Sequence, residues 1–388
     1  MNVVFLSPHF PPNYHHFCEH LRNLGVNALG LADVPEDQLE SELAAALTEY
    51  YRVDNMDSYD QILRACGHFT HQFGKLDRIE SLNEYYIDFE AQLRTDFNVP
   101  GIKSDAIDYY LLKSSMKKVF QGAGVNVPRG GPVETQQEAM ALAAEIGYPV
   151  ILKPDRGLGG TDIFRVDSPE DLAEVFQAAP RKDYLVEEFV GGTVCSFDGL
   201  TDRDGRILFY ACHVFSQGMM ETVTQDREVF YYSLKKVPAD LEAAGEKAVA
   251  AFNIKEKFFH LDFIRAKNDG RYVALEVNLR PPGGLTLDMF TYSSNVDPYR
   301  EWALMLAGHE SQARPTHAHH CGYIGRRSNR GYAHSHEEVL ETYGHLIVHH
   351  ESLHSVFSPS FGNYGYLARS WDLEELVEVA KYILKRAG

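Results

Sequence analysis

The chain has 388 residues, with 37 lysines and arginines against 55 aspartates and glutamates, for a formal net charge of −18. Its length suffices for two or three domains of about 150 residues, and 44% hydrophobic, 24% charged and 12% aromatic residues exclude a disordered or fibrous chain. The acidity excludes a nucleic-acid backbone or an anionic membrane as main partner, since both select a positive surface, but not a small anion held by a few local cations.

Residues 1–100 alternate strand and helix patterns. Strands are predicted at Val3–Leu6, Val26–Leu31 and Ile79–Leu82. Helices are predicted at Tyr14–Leu24 (ending at Gly25), Gln38–Thr48, Tyr59–Phe73 and Glu84–Phe97. This reads as a parallel α/β unit. The first strand runs into Ser7-Pro-His-Phe-Pro-Pro12 and not G-x-G-x-x-G, which disfavours a dinucleotide site. Asn98–Gly101 punctuates the end of the unit. A helix over Asp105–Gly122 follows, carrying Lys113, Lys117 and Lys118. Next come a helix at Thr135–Ile146, strands at Pro149–Leu152 and Ile163–Val166, a helix at Pro169–Ala178 and a strand at Tyr184–Phe189. Residues 194–236 read as antiparallel strands and Pro238–Phe252 as a helix. Phe258–Ala266 and Tyr272–Asn278 read as a hairpin, and a tail beyond Gly308 ends in a helix at Leu373–Arg386. The expected division is 1–100, 101–310 with a small subdomain near 120–187, and 311–388.

The hairpin is the most informative segment. Asn268-Asp269-Gly270 suits a three-residue loop with glycine in the left-handed position. Pairing Lys267 with Arg271 sets Asp262 opposite Glu276 and His260 opposite Asn278. Alternation then places His260, Asp262, Ile264, Glu276, Asn278 and Arg280 on one face and Leu261, Phe263, Leu275 and Val277 on a core face. Like charges directly opposite one another destabilise a sheet. A hard divalent cation, which takes oxygen ligands and is commonly shared with substrate phosphates, compensates them; two solvated surface carboxylates are the bland reading.

Two further segments carry weaker signals. In Val150-Ile-Leu-Lys153-Pro-Asp-Arg-Gly157-Leu-Gly159-Gly160, a strand delivers a lysine to a glycine-rich loop whose N–H groups can approach phosphate oxygens. It lacks the Gly-Lys-Ser/Thr end of a Walker A loop. Tyr184-Leu-Val-Glu187-Glu-Phe-Val190-Gly-Gly192 is a strand ending in acids and then glycines, which suits a hinge whose carboxylate and backbone read an adenine edge.

In order and spacing these segments, from Lys113 to Arg280, resemble the ATP-grasp superfamily, in its carboxylate–amine ligase and biotin-carboxylase-like branch. Lys113 through Val127-Pro128 is similar to the family's first nucleotide lysine and its approach to the lid, and Leu152-Lys153-Pro to the second lysine. Glu276-Val-Asn278-Leu-Arg280 resembles the metal-binding signature, the most diagnostic piece. The resemblance implies α/β and α+β architecture: an N-terminal α/β preATP-grasp domain, a small lid, and a larger antiparallel sheet holding Mg-ATP. It implies ATP and Mg²⁺ (or Mn²⁺) as cofactors. Lys113 and Lys153 would contact phosphates, and Gly157, Gly159 and Gly160 would close over them. Glu187 and the backbone near Val190 would read adenine between Ile151 and Ile264. Asp262, Glu276 and Asn278 would hold metal. Arg280 would bind a carboxylate or acyl phosphate, and His260 stands where some ligases carry arginine. Lys153, His260 and Arg280 are the expected catalytic set. One departure concerns the ribose: Gly192-Thr-Val-Cys-Ser196 lacks the family's acid, and Thr193 offers one hydrogen bond in its place.

The implied activity is an ATP-dependent ligase that activates a small carboxylate as an acyl phosphate and joins it to an amine, releasing ADP and phosphate. A biotin-carboxylase-like bicarbonate enzyme and a nucleotide-binding protein without turnover remain as alternatives. Small-molecule substrates are the expected partners, with no nucleic acid or membrane, and a homodimer is allowed. Five scattered cysteines without C-x-x-C spacing predict free thiols in a reducing compartment. No apolar run nears the ~18 residues of a spanning helix, and the N-terminus reads as a strand and not a signal peptide, so a cytoplasmic location is expected. Ten histidines lie between His309 and His354, including His317-Ala-His319-His320-Cys321. No second ligand pair at zinc spacing follows, so they read as surface and interface histidines. Residues 1–100 carry 6 basic and 16 acidic side chains and residues 101–388 carry 31 and 39, so the acidity concentrates in the first domain, away from every phosphate-binding cation. That juxtaposition favours a substrate with an ammonium group.

Overall fold

Strand β1 (Asn2–Leu6) is buried along its whole length. Such a strand, covered on both faces, reads as a continuous apolar run and not an alternating one. It pairs in parallel with β2 (Asn27–Ala32) and β4 (Arg78–Glu80), and β3 (Glu49–Arg52) completes a four-stranded sheet in the order β3-β2-β1-β4. Helices α1 (His15–Asn23), α2 (Ser41–Ala46), α3 (Tyr59–Phe73) and α4 (Ile87–Asp96) belong to this unit. The helix expected over Gln38–Thr48 contracts to α2 because Leu39 and Glu40 are extended, which separates it from a 3-10 turn at Glu36–Gln38. The computed structural model describes residues 1–157, 162–178, 183–216 and 228–387.

Helix α5 (Lys113–Gly122) starts later than the Asp105 expected from the pattern, after a 3-10 turn at Ile107–Tyr110. Its start is set by a distant residue. The Asp155 carboxylate accepts from the Ser114 N–H at 2.7 Å and from the Ser114 hydroxyl at 2.6 Å. A carboxylate there satisfies an orphan donor and complements the helix dipole.

A second four-stranded sheet, in the order β5-β8-β6-β7, is antiparallel: β5 (Gly130–Val133), β6 (Val150–Pro154), β7 (Phe164–Val166) and β8 (Tyr184–Glu188). Helices α6 (Gln136–Ile146) and α7 (Pro169–Ala178) cover it through Ala139, Ala143, Leu172 and Phe176. A capping box between Thr135 and Glu138 opens α6.

The third sheet has eight strands in the order β13-β12-β9-β10-β11-β14-β16-β15. These are β9 (Gly192–Thr201), β10 (Ile207–Phe215), β11 (Val229–Ser233), β12 (Phe258–Ala266), β13 (Tyr272–Asn278), β14 (His320–Arg326), β15 (Ile347–Ser352) and β16 (Tyr364–Ser370). The helix Ala239–Ala251 packs on it so closely that a Cβ at Gly245 would lie 2.3 Å from the Phe197 ring. The final helix is Leu373–Ile383, shorter than expected. All five cysteines are buried and free. Among the described residues, no helix is long and apolar enough to cross a membrane.

The first and third sheets share one core. Phe5 and Phe17 pack on Trp302 with ring centroids 6.1 and 5.0 Å apart, and Phe258 and Phe290 join the same cluster. A buried ionic cluster crosses the same junction. Arg94 lies 3.0 Å from Glu80 and 2.7 Å from Glu90, while Lys257, just before β12, lies 2.5 and 3.2 Å from the same two carboxylates. Burial alone would raise the Glu90 carboxyl, but Lys257, Arg94 and the Ser81 donors hold it well below the usual range. A depressed folded-state value makes this contribution fully present above the ordinary glutamate value of about 4.3 and lost as pH falls below it. Lys257→Met leaves two buried carboxylates to one guanidinium and should destabilise the chain by about 3–5 kcal/mol, read as a lower urea midpoint. The deficit relative to wild type should shrink on acidification below pH ~4, where the carboxylates protonate.

Candidate active site

The hairpin β12–β13 sets Asp262 opposite Glu276 and His260 opposite Asn278, as expected, but by a different route. Ala266 and Arg271 form the last hydrogen-bonded pair, so the loop is Lys267–Gly270, one residue longer than expected, with Gly270 at φ +73. A bulge between Glu276 and Ala274 restores the register. The bulge also changes which residue enters the core: Ala274 is fully buried there, while Leu275, expected in the core, stays partly exposed.

Three cations gather around the carboxylate pair. The Lys113 ammonium lies 3.5 Å from Glu276 and donates to the Gly157 carbonyl at 3.0 Å. His260 Nε2 lies 3.4 Å from Asp262. Arg280 is held by Glu84 at 2.9 Å and by the Pro281 carbonyl at 3.0 Å. Burial raises the Asp262 carboxyl, and the facing Glu276 adds to the shift. Burial would also raise Glu276, but Lys113 and Lys153 carry it down. Glu84, Lys113, Gly157, Glu276 and Asn278 line one cavity of about 80 Å³.

This donor set fits a hard divalent cation. Two carboxylates and one carboxamide offer oxygen ligands, the donor type such a cation takes. Asn278 is 5% exposed, and its amide nitrogen has no hydrogen-bond partner among the described residues. A phosphate oxygen would satisfy that donor.

The second lysine is arranged differently from expectation. Lys153 at the end of β6 is 2.7 Å from one Glu187 oxygen, and Lys117 is 2.6 Å from the other. All three residues are buried, none more than 7% exposed. Burial opposes ionisation of Glu187, but Lys153 and Lys117 hold its carboxyl low, while burial brings the Lys117 ammonium down. Glu187 is thus a doubly compensated anion and not a free acceptor at the hinge. Lys117 was not among the expected site residues, although it lies one helical turn from Lys113 on α5, the spacing that places two side chains on one face.

His260 is held by a second carboxylate that the sequence pattern did not single out. Asp198 on β9 is fully buried; its oxygens accept from His260 Nδ1 at 2.5 Å, His213 Nδ1 at 2.6 Å and the Ser196 hydroxyl. Burial opposes the imidazolium, but Asp262 and Asp198 raise the His260 pKa to about 9. A fully buried acid inside the apolar alternation of β9 was the available signal. It follows the stretch Gly192–Ser196 in which a ribose acid was missing, but the histidines occupy it.

The remaining expected residues divide. Val190 lines a separate hollow of about 510 Å³ with Glu188 and Phe189. Ile151 on β6 and Ile264 on β12 are partly exposed. Gly192 lies so close to Ile264 that a Cβ there would meet its Cγ2 at 2.7 Å. Thr193 is exposed on β9, paired with Arg265. Gly159 and Gly160 lie outside the described residues.

Residues 113–193 match the family model of the carbamoyl-phosphate synthase L chain ATP-binding domain. The chain is 30% identical over 115 residues to the carbamoyl phosphate synthase large chain, C-terminal section, of Methanopyrus kandleri, a match covering 28% of this chain and 21% of that one. The matches to the curated relatives span only 10% to 38% of their lengths. The fold is similar along nearly the whole chain to L-amino acid ligase from Bacillus licheniformis, with a TM-score of 0.75 at 17% identity, covering 98% and 96% of the two chains. It is also similar to the biotin carboxylase domain of the Hydrogenobacter thermophilus 2-oxoglutarate carboxylase, a structure containing MgADP, with a TM-score of 0.71 at 18% identity and coverage of 98% and 89%. The chain has the ATP-grasp fold.

Lys117→Met should leave Lys153 as the sole partner of Glu187 and so tie it down. Titration calorimetry with MgADP should then show about three- to tenfold weaker binding, with Lys117→Arg retaining most of the affinity.

Proposed function

We propose that this ATP-grasp chain is an ATP-dependent ligase that activates a small carboxylate as an acyl phosphate and joins it to an amine. The observation that carries the reading is the constellation around Asp262 and Glu276: opposed carboxylates, an unpartnered Asn278 amide, Lys113 at 3.5 Å and Arg280 within the same electrostatic field. The fold likeness to an amino acid ligase supports it.

A substrate carboxylate oxygen attacks the γ-phosphorus of ATP, the bond to the ADP oxygen breaks, and an acyl phosphate forms. The amine nitrogen then attacks the acyl carbon, phosphate leaves, and the ammonium proton passes to solvent. Charge neutralisation and alignment carry most of such a reaction. Lys113 and Lys153 hold the phosphates. Lys153 can turn from Glu187 towards an incoming phosphate because Lys117 keeps that carboxylate compensated. Arg280, aimed by Glu84, receives the substrate carboxylate or its acyl phosphate. His260, kept cationic by Asp198, supplies positive charge beside Asp262. Asp262, Glu276 and Asn278 would hold a divalent cation, which when bound shields the phosphate oxygens from one another.

The test is release of ADP and phosphate across a panel of acids and amines with Mg-ATP. Turnover should require both partners and fall by about 10²–10³-fold in Glu276→Gln. Release of AMP and pyrophosphate would sink the reading. ADP release driven by bicarbonate alone and stimulated by free biotin would replace it with a carboxylase.

A further inference from the structure

The segment that follows Arg280 lines a larger hollow, of about 450 Å³, to which no step of the reaction above has been assigned. That volume falls within the range of small-molecule pockets. Four stretches of chain far apart in sequence build it. The turn after β1 and the start of α1 supply Asn13, His15 and His16; Glu40 stands just before α2; the segment just past Arg280 supplies Gly284, Leu285 and Asp288; β15 and the turn after it supply His349, Glu351, Leu353 and Phe357. Gly284 has φ +61 and packs on the Phe361 ring, so the segment leading from Arg280 into the hollow is fixed against the C-terminal part of the chain.

Glu40, Asp288 and Glu351 contribute carboxylates, and His15, His16, His349 and His354 contribute imidazoles, while no lysine or arginine lies among the described lining residues. Asp288 takes its hydrogen bonds from neutral donors: one oxygen accepts from the Tyr299 hydroxyl at 2.9 Å and the other from the Asn13 amide at 3.1 Å, while burial raises its carboxyl and His349 and His16 offset part of that. Glu351 is paired with His349 Nε2 at 3.1 Å, a contact that raises the His349 pKa, so Asp288 and Glu40 are the carboxylates without an ion-pair partner of their own among the described residues. Leu285, Leu353 and Phe357 give the hollow apolar wall between these groups. An adjoining hollow of about 340 Å³ shares Pro12, Glu40 and His354 and lengthens the depression along the first sheet unit. Oriented carboxylates without a fixed cation, set along apolar wall, match an aliphatic arm that ends in a positive charge.

We propose that this hollow binds the amine-terminated arm of a substrate, so that one of the two molecules joined is a basic amino acid or an aliphatic diamine. The assignment of that molecule as a ligase substrate rests on the function proposed above; the charge and shape of the hollow do not.

The test uses titration calorimetry on the full chain, with and without MgADP. L-Lysine and cadaverine separate the two sources of the arm, and L-norleucine and L-glutamate are the neutral and acidic comparisons. At least one basic probe should bind about tenfold more tightly than norleucine, and glutamate should bind no better than norleucine. Asp288→Asn should weaken the basic probe by about tenfold and Glu40→Gln, at an exposed position, by about threefold, with thermal melting confirming that both variants fold. Norleucine or glutamate binding as tightly as lysine, basic probes indifferent to both variants, or no binding of either basic probe would overturn the inference. A failure of every acid–amine pair to release ADP, with lysine binding intact and sensitive to Asp288→Asn, would overturn the ligase reading and leave this one standing.

Discussion

Two carboxylates facing each other across one hairpin are the constraint around which this molecule is arranged. Asp262 and Glu276 cannot both be ionised in a half-buried sheet without nearby positive charge. Each cation that answers them is positioned by something else: Lys113 by the Gly157 carbonyl, His260 by Asp198, and Arg280 by Glu84. Those holders come from the loop after β6, from β9, and from the first sheet unit. The repulsion of one residue pair thus draws three regions of chain to the same place.

The same logic recurs a strand away with the signs reversed. Lys117 and Lys153 are like charges brought together by one carboxylate, Glu187. A buried ion pair contributes little net stability, because desolvation offsets much of the attraction. On the function proposed above, the surplus lysine of this triad would meet an anion, and the hairpin carboxylates a cation that bridges to it.

Much of this was legible in the sequence because it is local or periodic. The Asp262–Glu276 pairing followed from alternation and a glycine turn, although two departures of one residue cancelled to produce it: a longer loop at Lys267–Gly270 and a bulge beside Leu275. A bulge has no period to betray it, so the core position passed unseen from Leu275 to Ala274. The start of α5 depends on Asp155, more than 40 positions from Ser114, and a helical pattern cannot report a cap that arrives from the loop after β6. Asp198 was hidden because the two histidines that identify it lie on β10 and β12; its one partner nearby in sequence, Ser196, is an ordinary strand residue. Lys117 was accessible in principle, being one turn from Lys113, but only its tertiary partner Glu187 distinguishes it from a solvated lysine such as Lys118.

The ionic cluster between the first and third sheets bears on how such a chain can be recombined. Glu80, Glu90 and Arg94 belong to the first hundred residues, yet the ammonium that balances them comes from Lys257, 177 positions from Glu80. The aromatic packing of Phe5 and Phe17 is likewise completed by Trp302. The N-terminal unit is therefore no interchangeable cassette. Grafted onto another third sheet, it would bring a net negative charge into an interior that lacks the matching lysine, and an apolar face without its cover. Exchange of surface turns would have to proceed by replacing loops on this scaffold, such as the one after β1, while the sheet beneath them stays with the partners it already has.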